Sequence, residues 1–145
     1  MSFRWSVVIP VKTLVAAKTR LAAATGPYRT RLAVAVASDT VSAALSCPQV
    51  SRVIVVTSDP AAAGPLGALG AEVVTDPDRG LNTALRTGAA HAVRHGGPIA
   101  ALQADLPALR PAELGVVLSA AAEFDQSFVP DAQEIGTTLY GVLPG

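Results

Sequence analysis

Short apolar runs alternate along this chain with longer segments in which apolar and polar residues recur at helical spacing. This pattern is typical of strands that alternate with helices. Such an order predicts an α/β fold, in which a mostly parallel sheet is covered on both faces through right-handed crossovers. Strands are predicted at 5–10, 52–57, 72–75, 99–103, 126–130 and 136–140, and helices at 28–46, 61–69, 81–95 and 112–123.

Local signals set the predicted ends of the helices. Thr25-Gly26-Pro27 is a stop-and-restart signal, so the first long helix is expected to begin only after Pro27. Asn82 is expected to cap the helix that follows the third strand. No internal repeat or linker divides the chain, which predicts a single domain over residues 1–145.

The most informative stretch runs from Ile99 to Leu109 and reads IAALQADLPAL. A buried strand here ends just before an Asp, and the Leu-Pro turn that follows cannot continue the ladder. Ligands of open α/β sheets bind just beyond the carboxyl ends of the strands, so the Asp105 carboxylate would face any crevice at that edge. The alternative is that Asp105 only hydrogen-bonds the turn, which is a common use of aspartate.

Three of the chain's eleven cations follow the first strand within nine residues, namely Lys12, Lys18 and Arg20. They fit either an ordinary solvated helix or a loop that wraps a polyphosphate, with Lys18 and Arg20 as donors. The commonest nucleotide fingerprints, GxxxxGK[ST] and GxGxxG, are both absent from the sequence. Asp76 and Asn82 follow the third strand, and a parallel sheet would gather them with the cations and Asp105 along a single crevice.

Other polar residues have simpler explanations. His91 and His95 are four residues apart, a spacing that suits two metal ligands on one helix face. They lack an HExxH motif, and a place near the helix C-terminus accounts for His95. Asp39 interrupts the apolar character of the first long helix, where a solvated face explains it.

Composition excludes several classes of protein. Half of the 145 residues are hydrophobic and 11 acidic residues balance 11 basic ones, so neither disorder nor a nucleic-acid or anionic-membrane partner is expected. The apolar run near the N-terminus is too short for a secretory signal, and no stretch reaches the length of a membrane span. A single cysteine rules out an internal disulfide framework. A cytoplasmic protein is therefore expected.

Four motifs carry a resemblance to a known family. They are VIPVKTLVAAKTRLA at the first strand, DRGLNTAL at the third helix, LQADLPAL at the fourth strand and EIGTTLY near the end. Together they resemble the guanylyltransferases of coenzyme F-420 biosynthesis, of the 2-phospho-L-lactate or phosphoenolpyruvate type, over essentially the whole chain. The resemblance implies a three-layer, Rossmann-like fold of the nucleotide-diphospho-sugar transferase (GT-A) type.

The resemblance also implies a nucleotide site in the first part of the chain. Lys12, Lys18 and Arg20 would hold the GTP triphosphate, and Pro10 and Val11 would lie by the base. Of these residues, Lys18 and Arg20 would also take part in catalysis.

Further roles follow from the later motifs. Asn82 would bind the nucleotide, and Asp105 would bind magnesium and act with the cations in catalysis. Gly136, Thr137 and Thr138 would contact a phosphorylated three-carbon acid, which is phosphoenolpyruvate or 2-phospho-L-lactate.

The chain departs from the family pattern in two places. Ala104 stands where the family has the glycine of Gly-Asp-Leu-Pro, which adds a methyl group where a ligand approaches the backbone. Family members also continue past the equivalent of Gly145, so the domain is expected to lack its C-terminal part. A last strand without a neighbour would leave an exposed edge, through which two copies could pair as a homodimer.

The implied reaction is the attack of an acceptor phosphate oxygen on the α-phosphorus of GTP, with release of pyrophosphate and Mg²⁺ as the cofactor. The nucleophile is already ionised, so the reaction needs positioning and charge neutralisation rather than a general base. Two alternatives stay open. One is another nucleotidyltransferase of this fold, with a molybdopterin or sugar phosphate acceptor, and the other is a non-catalytic nucleotide-binding domain.

Overall fold

The computed structural model describes residues 4–12, 20–123, 126–130 and 137–142. Of these, residues 20–27, residue 29, and residues 126–130 and 137–142 are described by their backbone alone. No helix among these residues is both long enough and apolar enough to cross a membrane. The described elements, in chain order, are β1 (Trp5–Pro10), α1 (Arg20–Leu45), β2 (Val50–Thr57), α2 (Pro60–Ala68), β3 (Glu72–Thr75), α3 (Leu81–Val93), β4 (Ile99–Leu102), α4 (Pro111–Ala121), β5 (Gln126–Pro130) and β6 (Thr137–Val142).

The strands form one sheet in the order β3-β2-β1-β4-β6-β5. Parallel pairs join β1 to β2 and β4, and β2 to β3, which confirms the mostly parallel sheet. Strand β6 runs antiparallel to both β4 and β5. The prediction that the last strand leaves an exposed edge is therefore wrong, because β6 lies between two strands and pairs with each of them.

The two faces of the sheet carry separate hydrophobic clusters, because side chains alternate along each strand. Val7 and Ile9 of β1 point into the larger cluster, which includes buried residues of α1, α2 and α4. Val8 points to the other face, where a smaller cluster packs under α3. Helix α3 approaches the sheet at Gly88, where a Cβ would overlap Val8 and lie 2.9 Å from Cγ2 of Val56. Only glycine permits this distance between helix and sheet.

Helix α1 is one continuous helix through Thr25-Gly26-Pro27, so the predicted break at this tripeptide is wrong. A proline inside a helix removes one hydrogen bond and costs about 3 kcal/mol. Burial of the later part of the same helix, including Ala37, Val41 and Ala44, offsets that cost. Tertiary packing therefore overrides the local stop signal.

The start of α3 also differs from the prediction. Gly80 is the N-cap residue, with a φ of 97°, and no side chain caps the helix. Glycine adopts this conformation readily, whereas other residues rarely do. The prediction that Asn82 caps the helix is wrong, because the chain turns two residues earlier and Asn82 already lies in the first helical turn.

Candidate functional site

Four segments follow the carboxyl ends of the parallel strands and form one edge of the sheet. We call this edge the carboxyl rim, which comprises residues 11–12, 58–59, 76–80 and 103–106. The backbone ladder extends into it, since the Val11 N–H donates to the carbonyl of Val56 at 2.9 Å. The Asp76 N–H likewise donates to the carbonyl of Thr57 at 3.2 Å. The polar residues of the rim are thus held by the sheet itself.

A cavity of about 360 Å³ lies at this rim between the ends of β1 and β4 and the side of α1. We call it the Asp105 cavity. It brings together the side chains of Lys12 and Asp105, both of which are exposed. The cavity therefore combines one cation and one carboxylate with apolar walls. Its lining residues are Val11, Lys12, Leu32, Ala33, Val36, Ala104 and Asp105.

Thr40 of α1 fixes the turn that carries Asp105. Its Oγ1–H donates to the carbonyl of Ala104 at 2.8 Å, and the same oxygen accepts from the Leu106 N–H at 3.0 Å. The side chain is fully buried. Both hydrogen bonds flank Asp105, so Thr40 holds the backbone on each side of that carboxylate.

Asp39 and Thr40 both interrupt the apolar character of α1, and Asp39 is exposed as expected, but no site role was predicted for Thr40. A signal was nonetheless present. Thr40 falls at helical spacing among the buried residues Ala37, Val41 and Ala44. A polar side chain on a buried helix stripe needs a hydrogen-bond partner, and here the partner is the turn at Asp105.

Asp76 places a second carboxylate on the carboxyl rim. It is 3% exposed, and its Oδ1 accepts from the Asp78 N–H at 2.8 Å. Its Oδ2 is buried and has no hydrogen-bond partner within the described part of the chain. A buried carboxylate oxygen is costly to leave without a partner, so such an atom indicates a place where water, an ion or a ligand binds.

A separate cavity of about 400 Å³ lies beside α3 on the other face of the sheet. Asn82 lines this α3 cavity and not the Asp105 cavity. The expected single crevice is therefore divided in two, because residues of β1 and β4 point alternately to opposite faces. The lining residues of the α3 cavity are Val8, Asn82, Leu85, Arg86, Ala89, Ile99 and Ala101.

The predicted phosphate-binding cations are only partly described. Lys18 lies outside the described residues. Arg20 is the first residue of α1, but its side chain is not described. Pro10 ends β1 and is half-buried, and Val11 follows it into the Asp105 cavity.

The predicted acceptor-binding residues lie on β6, except Gly136, which falls outside the described residues. Leu139 of β6 pairs with Leu102, the last residue of β4. Because the two strands are antiparallel, Thr137 and Thr138 continue past the carboxyl end of β4. The backbone therefore brings them to the carboxyl rim, next to the turn at Asp105.

Solved structures share this arrangement of elements. A protein from Desulfovibrio desulfuricans G20, described as a nucleotide-diphospho-sugar transferase, has a TM-score of 0.70 at 14% identity and covers 99% of this chain and 64% of its own. A nucleotidyl transferase from Methanothermobacter has a TM-score of 0.64 at 25% identity, over 99% of this chain and 72% of its own. The predicted nucleotide-diphospho-sugar transferase fold is thus confirmed.

Sequence relatives define the family. The protein from Streptosporangium roseum is 66% identical over 143 residues, and that from Thermomonospora curvata is 62% identical over 144 residues. Both carry the name phosphoenolpyruvate guanylyltransferase. The matches cover 97% of this chain in each case but only 64% and 63% of the relatives, so the chain spans less than two thirds of their length. The family model described as "Guanylyl transferase CofC like" matches residues 5–143, and the chain belongs to this family.

Proposed function

We propose that the chain transfers GMP from GTP to phosphoenolpyruvate or 2-phospho-L-lactate, with release of pyrophosphate, as a step of coenzyme F-420 biosynthesis in the cytoplasm. The names of the relatives support guanylyl transfer to phosphoenolpyruvate. The observation that carries the proposal is the Asp105 cavity at the carboxyl rim, which both Lys12 and Asp105 line. Ligands of open α/β sheets bind at this edge.

The reaction joins an acceptor phosphate oxygen to the α-phosphorus of GTP. The bond from that phosphorus to the bridging oxygen of the β-phosphate breaks, and its electron pair leaves with pyrophosphate. Both the acceptor and the leaving group are anions, so the site must gather positive charge and align the two oxygens. Lys12 supplies one ammonium group in the cavity, and Lys18 and Arg20 are proposed to bind the leaving pyrophosphate.

The oxygen donors of the rim suit Mg²⁺, which prefers oxygen ligands and usually binds through one or two carboxylates together with water and substrate phosphates. Asp105 offers an exposed carboxylate in the cavity. The buried Oδ2 of Asp76 belongs to another part of the rim, because β2 and β1 lie between β3 and β4 and keep it too far away to share an ion with Asp105. A magnesium ion held at Asp105 would supply Lewis-acid neutralisation of the α-phosphate. We therefore propose Asp105 as a magnesium ligand that Thr40 keeps in place.

Two further assignments rest on the backbone. Helix α3 begins at the carboxyl rim, which puts Asn82 of its first turn at the rim end of the α3 cavity. This position supports the proposed contact of Asn82 with the nucleotide. Thr137 and Thr138 extend β6 to the same rim, which supports their proposed contact with the acceptor.

Pyrophosphate release with Mg²⁺ tests the proposal. We expect release with GTP and phosphoenolpyruvate or 2-phospho-L-lactate, and none with CTP or UTP. Turnover with CTP or UTP and a sugar phosphate or molybdopterin acceptor would instead indicate another nucleotidyltransferase of this fold.

Calorimetry separates the catalytic proposal from the non-catalytic one. Binding of GTP with no turnover with any acceptor would favour a nucleotide-binding domain. Absence of GTP binding in the presence of Mg²⁺ would overturn both.

A further inference from the structure

Two histidines and a glutamate converge on the edge of the sheet opposite the carboxyl rim. We call this cluster, formed by Glu72, His91 and His95, the amino-rim cluster. The Nε2 of His91 is 2.9 Å from Oε1 of Glu72, and the Nε2 of His95 is 3.8 Å from the same oxygen. Arg52 of β2 contacts the other carboxylate oxygen, Oε2, at 3.0 Å. One carboxylate oxygen of Glu72 therefore faces two imidazoles.

We propose that the amino-rim cluster binds a transition-metal ion of the Zn²⁺ class. One ligand atom from each of its three residues lies within 4.8 Å of the others. Zn²⁺ bound tetrahedrally at about 2.0–2.1 Å separates its ligand atoms by roughly 3.3 Å. The two distances to Oε1, 2.9 and 3.8 Å, lie on either side of that value. Small side-chain rotations would thus place all three atoms around one ion.

The chemistry of the donors selects the class of metal. Imidazole nitrogens suit Zn²⁺, Ni²⁺ and Cu²⁺, whereas Mg²⁺ prefers oxygen ligands alone. Two histidines and one glutamate form a known ligand set for zinc, which leaves a fourth position for water. The side chains are 26% exposed for His91, 35% for His95 and 38% for Glu72, so an ion can reach them from solvent.

Arg52 acts on this site in two opposite ways. Its guanidinium holds Oε2 of Glu72 and so orients the carboxylate, which is how groups outside the ligand set support metal sites. Its positive charge also repels a bound cation. We therefore expect a lower affinity than the same three ligands would give without Arg52.

The simpler explanation of the cluster is an ion-pair network without metal. That network accounts for His91, which is within hydrogen-bond distance of Glu72. It holds His95 more weakly, because 3.8 Å is too long for a hydrogen bond and leaves only a charge contact that requires a protonated imidazole. His95 is therefore the residue that distinguishes a metal site from a network.

The cluster is independent of the proposed guanylyl transfer. Glu72 is the first residue of β3, His91 lies in the last turn of α3 and His95 lies two residues past its end, whereas Asp105 follows the carboxyl end of β4. An ion bound here would join the end of α3 to β3. Its expected effect is a higher melting temperature and not a change in substrate binding.

Titration of the tag-free chain with ZnCl₂, followed by NMR and calorimetry, tests the proposal. The sequence contains only two histidines, so the imidazole proton signals report this cluster alone. We expect both imidazoles to shift together and to saturate at one equivalent of Zn²⁺, without displacement by excess Mg²⁺. Imidazole signals that do not move with Zn²⁺ would overturn the proposal.

Two variants separate ligation from the ion-pair network. His95→Gln leaves the pairs of Glu72 with Arg52 and His91 in place, and we expect it to weaken Zn²⁺ binding by about tenfold or more, since even groups outside the ligand set contribute that much. Val93→Gln is the matched control, because Val93 is 66% exposed and points away from the histidine face of the helix. Equal Zn²⁺ affinity in wild type and His95→Gln would contradict the site.

Discussion

The two edges of the sheet use their charged residues in opposite ways. At the amino edge, the ion pair of Arg52 and the contacts of His91 and His95 all meet at the Glu72 carboxylate. At the carboxyl rim, Lys12 and Asp105 share a cavity, and neither forms an ion pair within the described residues. The amino edge combines nitrogen and oxygen donors, whereas the carboxyl rim offers carboxylate oxygens and a lysine. This difference in donors is why we propose a different cation for each edge, Zn²⁺ at one and Mg²⁺ with a polyphosphate at the other.

Helix α3 connects the two edges. Its first turn carries Asn82 at the carboxyl rim, its last turn carries His91, and His95 follows two residues past its end. Gly88, between them, holds the helix against β1 and β2. Variants at either end of the helix should therefore affect one edge alone, and a variant in its middle should affect both.

The largest effect is expected from Asp105→Asn, which keeps the size of the side chain and removes its charge. Loss of the proposed magnesium ligand should lower the rate of pyrophosphate release at least about 100-fold. Zn²⁺ binding at the amino-rim cluster should not change. Asp39→Asn, which removes an exposed carboxylate from α1, is the control and should retain the wild-type rate. An unaffected rate in Asp105→Asn would remove Asp105 from the site.

Gly88→Ala should disturb both edges at once. The added Cβ overlaps Val8 and presses on Val56, and overpacking of this kind costs about 1–3 kcal/mol. We expect a lower free energy of unfolding in urea, together with weaker binding of both GTP and Zn²⁺. Gly64→Ala is the matched control, since a Cβ at Gly64 meets no atom within 4 Å. Equal stability of the two variants would show that α3 does not pack as described.

Thr40→Val should act on the carboxyl rim alone. Valine has the shape of threonine but leaves the Leu106 N–H and the Ala104 carbonyl without their partner. A buried group without a partner costs about 1–3 kcal/mol, so we expect the Mg²⁺ concentration for half-maximal rate to rise about tenfold.

Thr40→Ser keeps the hydroxyl and should restore the wild-type Mg²⁺ dependence. Amide hydrogen exchange at Leu106 gives a readout that does not require activity, and it should be faster in Thr40→Val. A loss of melting temperature with unchanged Mg²⁺ dependence would indicate a purely structural role for Thr40.

The smallest effect concerns the pH dependence of the amino edge. The hydrogen bond from His91 is the main cause that lowers the pKa of Glu72 below 4.5, with help from Arg52 and against the opposing effect of burial. The ionised carboxylate thus stabilises the fold above pH 4.5, and this contribution is lost as the pH falls through the lowered pKa.

Glu72→Gln should therefore melt slightly below wild type above pH 4.5, in a buffer with EDTA, and the difference should shrink at lower pH. The effect is small because the Glu72 side chain is 38% exposed and solvent screens its charge. A difference that grows as the pH falls would contradict the assigned direction.

Local patterns predicted much of the sheet. Strands β1 and β3 have the predicted bounds, because each is a short run of β-branched residues that ends at a turn signal. The placement of Asp105 beyond a buried strand followed from the Asp-Leu-Pro turn in the same way. The position of β6 between β4 and β5 could not be predicted, since strand order depends on contacts between distant segments.

The missed features of the two edges also depend on long-range packing. Thr40 and Leu106 are 66 residues apart, and Glu72 and His91 are 19 residues apart. The spacing of His91 and His95 showed only that two imidazoles share a helix face. The contact of Glu72 with these imidazoles depends on the packing of α3 against β3, which the local sequence does not show.

Paramagnetic broadening by Mn²⁺ in the presence of GTP tests the central assignment most directly, because Mn²⁺ replaces Mg²⁺ at oxygen sites and broadens the amide signals near it. We predict that the signals of Lys12, Ala104 and Asp105 disappear first, while those of Glu72 and His91 keep their intensity. Broadening centred on Glu72 and His91, or uniform over the chain, would contradict the assignment of the nucleotide and its metal to the carboxyl rim.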